Sequence, residues 1–176
     1  MPYSMSHASL PALEMGLNAL SGILDKAAAH AAAKKIDPRV LLNTRLAPDR
    51  FSLLMQVQAA ADLAKNGAAR LSGVEPPRFE DTETTVDDLK ARVAKTLSFI
   101  KSADGKEIDA AAERQLTFPL GPKYKGEMQG DAYLNHFLLP NFYFHVAVAY
   151  AILRHCGVEL SKPDYLGAIP MRMSPR

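Results

Sequence analysis

The sequence predicts an all-α protein: a four-helix bundle with one small β-hairpin between the third and fourth helices. Three observations support this fold class. The chain contains 27 Ala and 22 Leu but only 10 Gly and 12 Pro, and Ala and Leu are strong helix formers. Four segments repeat apolar residues at steps of three and four, which is the helical period. The segment 114–128 instead alternates in the way that two short strands would.

The first two helices are predicted over residues 8–35 and 49–71. Each contains a stripe of apolar side chains at helical spacing, and Gly73 supplies a C-terminal stop for the second helix. That helix has small residues along its stripe, including Ala64 and Gly67. Because small side chains let two helix backbones approach closely, the stripe predicts a tight helix–helix contact.

The third helix is predicted over residues 84–101, with several acidic residues at its start, where they suit the helix dipole. The fourth is predicted over residues 131–156, with Pro140 expected to kink it near its middle. The tail from residue 159 contains three prolines and is predicted to be irregular. The length of 176 residues is that of a single domain covering 1–176.

Composition and charge exclude several classes of protein. The formal charge is +2, from 21 basic and 19 acidic side chains, which argues against a nucleic-acid binder. The longest apolar runs are interrupted by polar residues, so no membrane-spanning helix and no membrane partner are expected. The N-terminus has no signal-peptide pattern, and Cys156 is the single cysteine. These features predict a cytoplasmic protein without an intrachain disulfide.

Motifs with strong chemical meaning are missing from the sequence, and no catalytic residue is predicted. The most informative pair is Asn141 and His145, four residues apart and therefore on one face of the fourth helix, which is otherwise apolar. A buried pair must find hydrogen-bond partners. Two interpretations stay open: a core network completed by backbone groups, Gln58 or Asp62, or a metal or substrate site at His145 completed by groups from the second helix. Tyr143, beside His145 in the sequence, is a candidate ligand contact at the mouth of a polar pocket.

Seven short stretches distributed over most of the chain form a recognisable set. They are Leu24–Ala27, Leu46–Asp49, Gln56–Gln58, Ala69–Pro77, Phe79–Glu83, Leu139–His145 and Ala151–Glu159. Together they resemble the bacterial family catalogued as domain of unknown function nineteen-ninety-three, and Leu139–His145 is the most specific stretch. That family is similar in turn to the DinB/YfiT-like superfamily of four-helix bundles, which includes metalloenzymes, thiol-dependent transferases and many dimers.

The resemblance also implies a site. The superfamily's usual metal triad is one His on the second helix and two on the fourth. His145 lies near the second of the fourth-helix histidines and Asn141 near the first, while the second helix of this chain contains no His. The implied divalent-metal site is therefore His145, Asn141 and Asp62, with an incomplete His triad, and with Gln58 and Tyr143 in its pocket.

Two functional hypotheses follow. In the first, the protein is a DinB-like, metal-dependent enzyme with a degenerate site around His145. In the second, it is a non-catalytic dimeric scaffold or a small-molecule binding module whose ligand is unknown. The missing His on the second helix favours the second hypothesis, and the polar pair on an apolar face favours a site. The small-residue stripe and the resemblance both suggest a homodimer.

Overall fold

A computed structural model describes residues 4–172, and the fold is given for those residues. They are mostly helical, with one two-stranded antiparallel sheet, so the predicted fold class is confirmed at this level. The elements are α1 (Met5–Lys34), α2 (Pro38–Asn43), α3 (Leu53–Ser72), α4 (Val86–Lys101), α5 (Gly105–Asp109), β1 (Gln115–Leu120), β2 (Tyr124–Gln129), α6 (Gly130–Ala132), a π-helical segment (Tyr133–Leu138), α7 (Leu139–His155) and α8 (Lys162–Leu166).

Four long helices surround one core. α3 packs against α4 and α7, and α1 packs against the same two helices from the other side. The core side chains are fully buried; among the largest are Leu13, Leu17, Leu53, Leu89 and Phe142. Burying large apolar side chains from each of the four helices in one core supplies the main driving force for this packing.

Polar caps set the helix starts. α3 begins at Leu53, not at residue 49 as predicted, because Ser52 is its N-cap and accepts a hydrogen bond from the Met55 N–H. α4 begins at Val86, where Thr85 and Asp88 form a reciprocal capping box. The proline-based start predicted for the second helix was wrong because a serine cap lies farther along the chain.

Three short helices were missed by the sequence analysis. α2, α5 and α8 have five or six residues each, too few to show a periodic stripe. Each begins at a polar cap, at Asp37, Asp104 and Ser161 respectively. The tail from residue 159 is therefore not wholly irregular: the Ser161–Asp164 capping box starts α8, which packs against α1.

The predicted fourth helix is continuous in the chain but changes type. α6 leads into the π-helical segment, in which the Leu139 N–H bonds to the Leu134 carbonyl five residues earlier. Pro140 comes directly after this segment, in the first turn of α7. Proline has no N–H to donate, so the wider turn lies where a regular ladder of hydrogen bonds could not continue.

The hairpin covers one end of the helices. Gln115 pairs with Gln129 at its base and Leu120 with Tyr124 at its tip. Phe118 of β1 is buried and packs against the rings of Tyr133 and Phe137 in the π-helical segment, with centroids 4.9 and 4.7 Å away. This aromatic contact anchors the hairpin to the helices.

The small-residue stripe of α3 forms a tight contact, as predicted, but inside the molecule. Ala60 and Ala64 are fully buried. A Cβ added at Gly67 would lie 2.5 Å from two Leu138 methyl carbons, so the π-helical segment approaches the α3 backbone directly. This stripe is therefore not available as the face of a homodimer.

Two glycines in α1 provide a matched test of the packing. A Cβ on Gly16 would lie 2.5 Å from the Phe142 ring, whereas a Cβ on Gly22 meets nothing within 4 Å. We expect Gly16→Ala to lower the free energy of unfolding by about 1–3 kcal/mol through overpacking. Gly22→Ala should raise it by up to ~1 kcal/mol, because alanine favours a helix interior over glycine.

Urea denaturation of both variants measures the two effects. Equal stabilisation by both substitutions would contradict the close contact between α1 and α7.

Candidate functional site

The predicted site residue His145 lies on α7, beside the start of α3. Its Nδ1 is 2.6 Å from Oε1 of Gln56. Gln56 is only 3% exposed, and its Nε2 donates to the Phe51 carbonyl at 3.3 Å. Since the amide nitrogen of Gln56 is the donor to Phe51, its oxygen is the acceptor that faces the imidazole. The residue opposite His145 is thus Gln56, and not Gln58 or Asp62 as predicted.

Two aromatic rings flank the imidazole. The Phe51 ring is stacked on it with centroids 6.1 Å apart, and the Phe144 ring meets it edge-on at 5.2 Å. Phe51 is 45% exposed and Phe144 57% exposed. His145 is therefore a half-buried imidazole set between two rings that reach the surface.

Burial sets the protonation of this imidazole. Loss of solvent disfavours the imidazolium and lowers the pKa of His145 below its usual 6.5. Near neutral pH the ring is neutral. Because Gln56 Oε1 can only accept, the proton is on Nδ1, and Nε2 then carries the lone pair.

The buried face of α7 differs from the predicted one near His145. The expected inward stripe was Leu134, Leu138, Asn141, His145, Val148 and Ile152. Leu134, Leu138 and Ile152 are buried as predicted, but Asn141, His145 and Val148 are half-buried. In their place the next residues along the helix, Phe142, Val146 and Ala149, are buried. α7 is apolar on nearly every side, so its sequence contains several equivalent stripes and periodicity alone could not choose among them.

Asn141 does not join His145. Its Nδ2 donates to the Phe137 carbonyl at 2.7 Å, one turn earlier in the same continuous helix. This bond satisfies a carbonyl at the junction between the π-helical segment and α7. The position of Asn141 one turn before His145 is as predicted, but its amide stabilises the backbone locally.

Asp62 and Gln58 belong to a different cluster, between α3 and α4. Arg92 of α4 has a side chain only 1% exposed, with ion-pair contacts to Asp62 at 2.9 Å, Glu83 at 2.9 Å and Asp81 at 3.0 Å. Gln58 donates to the second carboxylate oxygen of Glu83 at 2.8 Å. We call these five residues the Arg92 cluster.

The Arg92 cluster ties the loop between α3 and α4 to both helices. Despite the cost of its burial, hydrogen bonds from Gln58 and Arg92 hold the pKa of Glu83 below its ordinary value, so this carboxylate stays ionised. Lys65 adds a second cation, 3.0 Å from Asp62 and 4.5 Å from the centre of the Phe79 ring. Beside the cluster is a cavity of about 510 Å³, lined in part by Arg78, Glu83 and Lys95.

Tyr143 lies apart from both groups. It lines an apolar cavity of about 270 Å³ with Gly16 of α1 and Tyr165 of α8. His145 lines neither this cavity nor the one beside Arg92. The five predicted site residues are thus divided among four places in the fold.

Gln56 and Arg92 were missed by the sequence analysis, for different reasons. Gln56 is three residues after Leu53 and four before Ala60. It therefore lies within about 60° of the buried apolar stripe of α3, which is formed by Leu53, Val57, Ala60, Ala64, Gly67 and Leu71. Helical spacing could therefore have found it. Arg92 is three residues after Leu89 and therefore also within about 60° of the buried stripe of α4, but a long arginine side chain at such a border position usually extends to solvent.

Comparisons with known proteins agree with the fold. The family model described as "Domain of unknown function (DUF1993)" matches residues 5–166. The chain belongs to the DUF1993 family. It is also similar to the crystal structure of a DinB family member from Shewanella denitrificans, at 40% sequence identity over 96% of this chain and 95% of that chain, with a TM-score of 0.88. No curated protein matches it.

The side chains of this DUF1993 member do not fit a divalent metal of the kind that the resemblance implied. Asn141 donates to a backbone carbonyl, and Asp62 is held by Lys65 and Arg92. Neither of these side chains is therefore available beside Nε2 of His145 to complete a metal site. Among residues 4–172, no group of three or more His, Cys, Asp or Glu side chains could hold a metal ion.

The lowered pKa of His145 predicts how stability depends on pH. Below about pH 6.5 the unfolded chain takes up a proton on this residue before the folded chain does. The contribution of neutral His145 to the free energy of unfolding is therefore complete above about pH 6.5. It is lost as the pH falls through the folded-state pKa of this residue. The melting temperature should decrease between about pH 7.5 and 5.5, and His145→Gln should reduce that decrease.

His136→Gln, at an exposed position of the π-helical segment, is the control for this titration. An unchanged pH dependence in His145→Gln would contradict the assignment.

The Arg92 cluster predicts a second effect. Arg92→Met would leave Glu83 without its buried cation and Asp62 with Lys65 alone, so we expect a loss of about 3–5 kcal/mol in the free energy of unfolding. Lys95→Met, on the exposed side of the same helix, should change it by no more than ~0.5 kcal/mol. Urea denaturation measures both, and similar values for the two variants would contradict the structural role of Arg92.

Proposed function

We propose that this DUF1993 protein is a metal-independent small-molecule binding module with the DinB-type four-helix bundle, and that His145 is its recognition residue. The supporting observation is the 2.6 Å contact between Gln56 Oε1 and His145 Nδ1. It fixes a neutral imidazole in one tautomer, with Nε2 as a hydrogen-bond acceptor. Metal independence is supported instead by Asn141, which donates to the Phe137 carbonyl, and by Asp62, which is paired with Lys65 and Arg92.

The rings beside His145 define the ligand class. Phe51 and Phe144 are both partly exposed and both contact the imidazole. Flat apolar groups stack on such rings, and a donor on the ligand would bond to Nε2. The proposed ligand is therefore a small planar molecule with one hydroxyl or N–H donor.

Phenol and anisole are a matched pair of probes for this proposal. They share the ring, but only phenol has a donor. We expect phenol to shift the His145 ring signals in an NMR titration more strongly than anisole does, and His145→Phe to remove the difference. Equal shifts from the two probes would contradict recognition through Nε2.

The proposed metal independence can be tested by introducing a zinc site and comparing its metal binding with that of the unmodified protein. If Gln56 occupies the place of the second-helix ligand, Gln56→His with Asn141→His restores one His on α3 and two on α7. We expect this double variant to bind about one Zn²⁺ per chain, because three imidazoles with one open position make a zinc site. The unmodified protein should bind none stoichiometrically, as measured by elemental analysis and calorimetry.

Gln58→His with Asn141→His is the control, since Gln58 faces Glu83 and not His145. Stoichiometric zinc in the unmodified protein, or equal binding by both double variants, would overturn this assignment of the site.

A further inference from the structure

Between the α3–α4 loop and α4 lies a cavity of about 510 Å³, which we call the loop cavity. Its volume is within the range of small-molecule sites, about 300–1,000 Å³. Its charged lining consists of Arg78, Glu80 and Glu83 from the loop and Asp88, Arg92 and Lys95 from α4. Three cations and three carboxylates therefore share one cavity.

Two of the carboxylates are already bound within the protein. Glu83 accepts a hydrogen bond from Nη1 of the buried Arg92 at 2.9 Å. Asp88 accepts hydrogen bonds from the N–H groups of Thr84 and Thr85, at 3.0 and 2.9 Å, at the start of α4. Glu83, Asp88 and Arg92 therefore have structural partners and do not require a ligand.

The other three charged side chains of the lining have no partner. Arg78, Glu80 and Lys95 are exposed, and their side chains make no hydrogen bond or ion pair within residues 4–172. Arg92 also retains an unused donor, because its buried Nε makes no hydrogen bond in that part of the chain. The free charge of the loop cavity thus has both signs, with two exposed cations and one carboxylate.

We infer that the loop cavity binds a small zwitterion of the amino-acid class, with its carboxylate at Arg78 and Lys95 and its ammonium group at Glu80. An anion without an ammonium group would leave Glu80 unpaired and would be repelled by it. A cation without a carboxylate would be repelled by Arg78 and Lys95 in the same way. A ligand with both charges pairs all three free side chains.

The Arg92 cluster fixes the loop side of the cavity. Nη1 of Arg92 donates to the Glu80 carbonyl at 3.2 Å and is 3.0 Å from the Asp81 carboxylate. The Phe79 ring, between the two loop residues Arg78 and Glu80, is held by contacts with the cations of the cluster. Because this part of the loop is ordered before a ligand binds, little conformational entropy is lost on binding.

The apolar part of the lining suits the carbon chain of such a ligand. The Phe79 ring and the methyl group of Ala91 both line the loop cavity. A short hydrocarbon chain between two charged ends would pack against these groups and lose its contact with water. The lining therefore fits an amino acid better than an inorganic ion.

The loop cavity is separate from the site of the proposed function. Its lining includes neither His145 nor the residues that contact His145, which are Gln56, Phe51 and Phe144. The inference therefore does not rest on recognition by His145, and each of the two sites can be tested while the other is intact.

An NMR titration of the full chain with four probes tests the inference. The probes are L-2-aminobutanoate, 4-aminobutanoate, butanoate and butylammonium, which share a four-carbon chain and differ in charge. We expect at least one of the two zwitterions to bind about tenfold more tightly than either singly charged probe. Its affinity should decrease as salt is added, because the free side chains are exposed and their charges are screened.

Single substitutions test the two ends of the ligand. Arg78→Gln and Glu80→Gln should each weaken zwitterion binding by about fivefold, the upper end for an exposed ion pair. Glu75→Gln in the same loop and Lys101→Met in the same helix are matched controls, since both residues are exposed and neither lines the cavity. These controls and His145→Phe should leave the affinity unchanged. Far-UV circular dichroism checks that the variants are folded.

A change of ligand preference is the sharpest expected result. Arg78→Gln with Lys95→Met leaves Glu80 as the free charge of the lining, so this double variant should bind butylammonium more tightly than 4-aminobutanoate. The inference would be overturned if neither zwitterion binds more tightly than the singly charged probes, or if the double variant keeps the original preference. Zwitterion binding that His145→Phe abolishes and Glu80→Gln leaves intact would place the ligand at His145 and would equally refute the loop cavity as its site.

Discussion

The close packing of α3 against α7 is the constraint on which the rest of the structure depends. At one end Gly67 receives the Leu138 side chain at a distance that leaves no room for a Cβ. At the other end Gln56 meets His145. Because α3 and α7 are in contact at both ends, the imidazole of His145 is partly desolvated and its hydrogen bond to Gln56 is fixed. The site is a consequence of the helix packing and of the first turn of α3.

The two sides of α3 have separate tasks. One side supplies Gln56 to α7, and the other supplies Gln58 and Asp62 to the Arg92 cluster beneath the α3–α4 loop. Asp62, the carboxylate that the implied metal site would use, is instead paired with Arg92 and Lys65. His145 itself is a neutral hydrogen-bond acceptor between two aromatic rings.

The sequence predicted the fold class and the long helices because their apolar periodicity and terminal glycines are local signals. Gly73 and Gly157 both adopt the positive φ expected after a helix. The short helices α2, α5 and α8 could not be predicted from hydrophobic periodicity, because five or six residues are too few to show a repeat. Helical spacing places Gln56 near the buried stripe of α3, but its contact with His145 could not be predicted, since α7 is apolar all round and its rotation is set by contacts with α1 and α3. The buried state of Arg92 depends on Asp62, Asp81 and Glu83, which come together only in the folded chain.

The central claim is that Gln56 holds His145 as a neutral imidazole protonated on Nδ1. The most direct measurement is the ¹⁵N chemical shift of both ring nitrogens in the folded protein, recorded near pH 7.5 with and without added Zn²⁺. We expect a pyrrole-type shift for Nδ1, a pyridine-type shift for Nε2, and no response of either to zinc. A proton on Nε2, or a zinc-dependent change at either nitrogen, would contradict it.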